Sequence, residues 1–173
     1  MVRLMNNYQL MVEIIEDMEK IAQTFNIPSF PIYFLGGSAC ILGQYSDRAT
    51  RDFDFIDLNY SSTYGKVLRY LTDFDMLEYE STILAPSYKK RAKKLERFKY
   101  LDVYVLARED IIVSKIIRME PKDIEDIDLL IQDSDKELIL NIIDEVLHRS
   151  DLFETKKEAF RKNLPAFREK YHV

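Results

Sequence analysis

Phe34-Leu35-Gly36-Gly37-Ser38-Ala39-Cys40 is followed, from position 50, by Thr50-Arg51-Asp52-Phe53-Asp54-Phe55. Upstream of the glycines, Phe30 to Leu35 is an apolar run of strand-favouring residues. Gly36 and Gly37 break it, and Ala39 to Gly43 reads as the first turns of a helix. A strand that breaks on two glycines into a helix N-terminus turns unpaired backbone N–H groups outward, the makings of a phosphate cradle. Asp52 falls fourteen positions after Ser38. With Phe53 and Phe55 alternating about Asp54, period-two geometry puts both carboxylates on one strand face and both rings on the other. Like charges side by side on a sheet repel, so a cation is expected to hold them there.

At 173 residues, 47% of them hydrophobic, the chain is long enough for one sizeable core. The expectation is an α/β fold: a core over 1–107 that includes an N-terminal helix, then a C-terminal helical region over 108–173 packed on it. Four glycines and five prolines leave no room for long linkers. Without an apolar run of eighteen residues or a cleavable signal pattern, neither membrane insertion nor export is expected, and the location read from the sequence is cytoplasmic. The single cysteine, Cys40, excludes an internal disulfide and reads as a packing residue. A net charge of −5 argues against indiscriminate nucleic-acid binding but allows a local basic patch.

Taken in order, residues 3–24 space Leu4, Met5, Tyr8, Met11, Ile14, Ile15, Met18 and Ile21 as the apolar face of a helix. Ser61, Ser62 or Thr63 is placed to cap a helix reaching about Leu71. Asp73 to Leu84 and Phe98 to Leu106 read as strands. The second is nearly all apolar around one acid, Asp102, a costly group to bury without a partner. It either points at the cation held by Asp52 and Asp54 or sits at a solvent-facing edge. From Arg108 the pattern turns helical, with a boundary at Pro121 and two further helices over about 135–148 and 154–171.

Between those strands lie five basic residues in six positions, Lys89-Lys90-Arg91-Ala92-Lys93-Lys94, with Arg97 beyond. Such a run contacts the phosphates of a polynucleotide, or else it is a solvated connection whose lysines keep a sheet edge from pairing. Asp123 and Asp126 lie one helical turn apart, so one could orient Lys115 or a nucleotide sugar, or else they form a surface ion-pair set of little consequence.

Gly37, Ser38, Asp52 and Asp54 together resemble the signature of the DNA polymerase beta-type nucleotidyltransferases: a Gly-Gly/Ser helix start, then an acid-x-acid strand. The runs Ala107 to Lys115 and Pro121 to Asp126 narrow the resemblance to bacterial nucleotidyltransferase-like proteins of the abortive-infection, type IV toxin kind. In all, the likeness spans roughly residues 30–131. It implies a mixed β-sheet core flanked by helices, and transfer of a nucleoside monophosphate from a nucleoside triphosphate such as ATP to an acceptor hydroxyl. The acceptor would be RNA such as tRNA, a protein or a small molecule.

By the same resemblance, Asp52, Asp54 and a third carboxylate on a neighbouring strand, Asp102, hold two Mg²⁺ ions, or Mn²⁺ in their place. Gly36, Gly37, Ser38, Arg51, Lys122 and Asp126 contact the nucleotide, and Lys115 answers the charge on the leaving pyrophosphate. Residues 89–97 would meet an RNA acceptor. A toxin–antitoxin or phage-defence role would bring a cognate antitoxin or other partner protein. The same fold also suits a non-catalytic module that senses nucleotide or binds a partner.

Overall fold

The methionine-rich stripe forms α1, Asn7–Thr24, in the computed structural model, which describes residues 7–47, 50 and 52–173. Met11, Val12, Ile15, Met18 and Ala22 bury the expected face, and Glu19 is buried with them. That carboxylate accepts the backbone N–H groups of Tyr100 at 2.6 Å and Leu101 at 2.8 Å, so it is hydrogen-bonded rather than orphaned. Residues 3–6, expected to begin this helix, lie outside the described set.

The chain divides into two compact units. The first comprises residues 1–76 and 92–105. In it, β1, Pro31–Leu35, runs directly into α2, Gly36–Leu42, so the helix begins on the first glycine rather than at Ala39. Next come β2, Phe53–Ile56, and α3, Ser62–Leu68. The Ser61 hydroxyl accepts the Tyr64 N–H and caps α3 as expected. With β3, Phe74–Leu77, β4, Lys93–Lys94, and β5, Asp102–Val105, the strands make one mixed sheet in the order β3-β2-β1-β5-β4. β1 is antiparallel to β2 and parallel to β5.

Register decides which side chains share a face, because directly paired residues project to the same side and alternate along each strand. Leu35 faces Asp54, Tyr33 faces Tyr104 and Pro31 faces Asp102. The opposite face carries Ile32, Phe34, Phe53, Phe55, Val103 and Val105, all buried. Phe34 packs on Phe53 and Phe55 with ring centroids 5.6 and 6.0 Å apart. The period-two reading of the Asp-x-Asp strand holds for its rings.

The second unit comprises residues 77–91 and 106–173. It holds α4, Tyr88–Arg91, α5, Arg108–Ile116, α6, Pro121–Leu130, α7, Lys136–Leu147, and α8, Glu154–Tyr171. Pro121 opens α6 instead of only ending its predecessor, and Glu120 with Asp123 forms a capping box. Asp135 caps α7, and Asn163 of α8 donates to the carbonyls of Ile116 and Ile117 at the C-terminal end of α5. Ile111, Ile112, Ile116, Ile127, Ile139, Ile143, Phe160 and Phe167 are fully buried.

The strand expected over 73–84 stops at Leu77. Beyond it, the carbonyls of Tyr79, Thr82 and Leu84 accept from the buried Arg149 guanidinium, and Glu80 O accepts the Phe153 N–H. Backbone acceptors engaged this way are not available to a sheet ladder. Residues 77–91 group with the helices and not with the sheet.

Candidate functional site

Gly36 has φ +64°, a left-handed conformation that an L side chain adopts only under strain. Space gives a second reason for glycine: a Cβ there would stand 2.5 Å from Asp54 Oδ2. The carboxylate therefore lies over the bare backbone where strand becomes helix. A Cβ on Gly37 would stand 3.3 Å from the Thr50 side chain, so the second glycine is tightly covered as well.

Ser38, expected to contact nucleotide, is fully buried. Its hydroxyl donates to Leu35 O at 2.9 Å and accepts the Asp54 N–H at 3.0 Å. Asp52 immediately precedes β2 and is exposed, while Asp54 is half-buried. Arg51, expected beside the nucleotide, lies outside the described residues.

Asp102 does not join Asp54. Its partner Pro31 is four positions from Leu35 on β1, roughly 13 Å along the strand at about 3.3 Å per residue, with β1 itself between the two acids. In place of a shared cation, Asp102 accepts the Ser29 hydroxyl at 3.1 Å and pairs with Lys94 at 3.3 Å. The third-carboxylate expectation is corrected: Lys94 of β4 pairs with the acid, and 39% of its side chain stays exposed, on a strand that lies inside the sheet and not at its edge. Tyr33 and Tyr104 stack between the two acids with centroids 4.6 Å apart. Burial, then Tyr104 and Asp102, push the Tyr33 phenol above its ordinary value.

Among the described residues, no cluster of three or more His, Cys, Asp or Glu side chains is placed to hold a metal ion. Mg²⁺ is commonly bound by one or two carboxylates, its other positions going to water and substrate phosphates. Asp54 over the strand-to-helix break and Asp52 two residues before it in the chain are hard oxygen donors that suit that mode; a site built from three carboxylates does not fit.

In the second unit, the nine-tenths-buried Lys115 reaches Asp126 at 3.1 Å and Asp123 at 3.8 Å. Arg118 grips Asp123 with two bonds of 2.7 and 2.8 Å. Burial works to raise the Asp123 carboxyl, but the Arg118 hydrogen bond, the Glu120 N–H and the charges of Arg118 and Lys115 hold it below the usual carboxylate range. Asp126 is thus the partner of Lys115, and Lys122 is exposed.

The basic run falls in both units, dividing after Arg91. Arg91 grips the fully buried Asp110 through bonds of 2.8 and 2.7 Å. Lys94 is paired as described, and Arg97 bonds to Tyr8 and Glu16. Three of the cations expected to face RNA are therefore engaged within the protein. Sequence reasoning missed the Arg91–Asp110 pair; an acid in the first turn of a largely apolar helix was its one visible sign.

The family model described as nucleotidyltransferase of unknown function (DUF6036) matches residues 9–171. No curated protein sequence matches the chain. Among solved structures, the chain is similar to the solution structure of the antibiotic-resistance factor ANT(2'')-Ia at 17% identity, over 97% of this chain and 99% of that one, with a TM-score of 0.47. Among the described residues, no helix is long and apolar enough to cross a membrane.

Proposed function

Because the chain belongs to the nucleotidyltransferases of unknown function, matched over residues 9–171, we propose that it moves a nucleoside monophosphate from a nucleoside triphosphate to an acceptor hydroxyl. The observation that carries this reading is the Asp54 carboxylate lying over Gly36 at the strand-to-helix break, with Asp52 two residues before it. These two carboxylates would hold Mg²⁺, which when bound supplies Lewis-acid polarisation of the phosphates and acidifies an attacking hydroxyl. In the transfer the acceptor hydroxyl gives up its proton to solvent as its oxygen forms a bond to the α-phosphorus, the bond from that phosphorus to the bridging oxygen breaks, and pyrophosphate leaves. Asp52 and Asp54 fix where the donor's charge is met. Lys115, which pairs with Asp126 in the second unit, is proposed on the sequence resemblance alone as the cation that answers charge developing on the pyrophosphate.

The acceptor is the finer part of the proposal. An RNA acceptor meeting residues 89–97 is supported by the run of basic residues there, and a toxin role with an antitoxin partner by sequence resemblance alone. Lys89, Lys90 and Lys93, all exposed, are the positions through which such RNA contact would run. Incubation with each of four labelled nucleoside triphosphates, Mg²⁺ and cellular RNA or protein tests the whole reading. Label should enter one pool with the wild-type chain and none with Asp54→Asn. Label transfer undiminished by that substitution would end the proposal.

One observation favours a second reading, a nucleotide-sensing module without turnover: Asp102 stands apart from Asp54, so the acids at the glycine break are two instead of three. Calorimetry separates the readings. A sensor binds nucleoside triphosphate with no product formed at any Mg²⁺ concentration.

A further inference from the structure

Leu35 and Asp54 are partners across β1 and β2, and one hydroxyl bonds to both of them. Ser38 Oγ donates to the Leu35 carbonyl and accepts the Asp54 N–H. The side chain has no exposure, so water has no path to replace it. At this point β1 has already turned into α2 and Gly36 has entered the left-handed region, so a regular ladder cannot continue past the pair.

We propose that Ser38 is a positioning residue that clamps the Asp54 backbone to the strand-to-helix break, keeping the carboxylate over Gly36, and that its hydroxyl does not touch the nucleotide. The geometry stands on hydrogen bonds alone; its catalytic consequence rests on the nucleotidyltransferase reading above. A seryl hydroxyl beside a glycine pair invites assignment as a phosphate ligand, but this one has its proton committed to a carbonyl and a lone pair committed to an amide. Its contact with the Asp54 carbonyl, at 3.4 Å, turns it further toward β2. All of these partners belong to the backbone that carries the acid or ends β1. Loss of the clamp would let Asp54 drift, and a displacement on the order of 1 Å at a reacting centre costs about a hundredfold in rate.

The test is Ser38→Ala, read three ways. By NMR, the Asp54 amide should exchange about tenfold faster or more, as a locally opened backbone does, while the Phe34 amide keeps its rate. By calorimetry, a non-hydrolysable nucleoside triphosphate with Mg²⁺ should bind within about twofold of wild type, while kcat for transfer falls by about a hundredfold. Unchanged Asp54 exchange overturns the proposal. So does the opposite kinetic split, with nucleotide affinity lost and kcat kept at saturation, because that marks a phosphate contact. A wild-type chain that transfers no nucleotide would sink the proposed function, and Asp54 exchange would still decide the clamp. Should Ser38→Ala not fold, Ser38→Cys, near in size but a much weaker donor and acceptor, is read by the same three measurements.

Discussion

The Asp54 carboxylate lies against Gly36 so closely that a single added methyl would stand 2.5 Å from Oδ2. Gly36→Ala therefore carries two penalties. The left-handed backbone costs an L residue about 1–2 kcal/mol, and the methyl must push the carboxylate away. Thermal melting should show Tm lower by roughly 2–4 °C per kcal/mol for a chain of this size. Transfer activity should fall far more than that loss of stability explains. A variant with wild-type activity would remove Asp54 from the site.

The three acids read together in the sequence should separate on substitution. Asp52→Asn and Asp54→Asn are expected to abolish transfer with the fold intact by circular dichroism. Asp102→Asn, which removes the charge paired with Lys94, should retain transfer. If Asp102→Asn is as dead as Asp54→Asn, Asp102 acts with Asp54 in the reaction and the two-carboxylate site is wrong.

Arg91 is expected to matter for folding rather than for RNA. Arg91→Ala leaves Asp110 buried without its counter-charge, a loss of about 3–5 kcal/mol for breaking a buried pair from one side. Urea unfolding should register it. Lys90→Ala, at an exposed position, should leave the unfolding curve in place.

Asp123 predicts the acid limb of stability. Its folded carboxyl sits below the ordinary value, against the pull of burial, because Arg118, the Glu120 N–H and Lys115 favour the charged form. A depressed carboxyl contributes stability that is fully present above its unfolded pKa, about 3.9, and is lost as pH falls through the lower folded value. Asp123→Asn should accordingly flatten the fall in stability through that acid window, followed by melting at stepped pH. Asp110 has the opposite sign: burial outweighs Arg91 and raises its carboxyl, so its contribution is present below the unfolded value and fades as pH rises through the folded one.

Much of the first unit was legible because its punctuation is local. The glycine pair ends β1, Ser61 caps α3, and the alternation of Phe53, Asp54 and Phe55 assigns the faces of β2 from neighbouring residues alone. The C-terminal helices were legible for the same reason, with Asp135 as a visible cap. The β1–β5 register was not, since nothing within the run from Phe98 to Leu106 says which residue lies opposite Pro31. A slide of that register moves Asp102 toward or away from Asp54 without changing a single local preference. The partners of Ser38 were hidden for a related reason: its type suits a phosphate contact, but the bond it accepts comes from a strand sixteen positions later. The segment 77–91 has strand-like spacing, yet Arg149, some seventy residues on, takes its carbonyls.

The unit boundaries fall at 76/77, 91/92 and 105/106, so the sheet-bearing unit closes only with a ribbon of fourteen residues that follows a piece of the other unit. Ending the gene after position 76 would drop both β4 and β5, and ending it at 107 would strand residues 77–91 without the helices that give them a home. Neither unit is inheritable as one uninterrupted piece of coding sequence, so shuffling, tagging or splitting of this protein has to respect an interleaved pair and not two beads on a string.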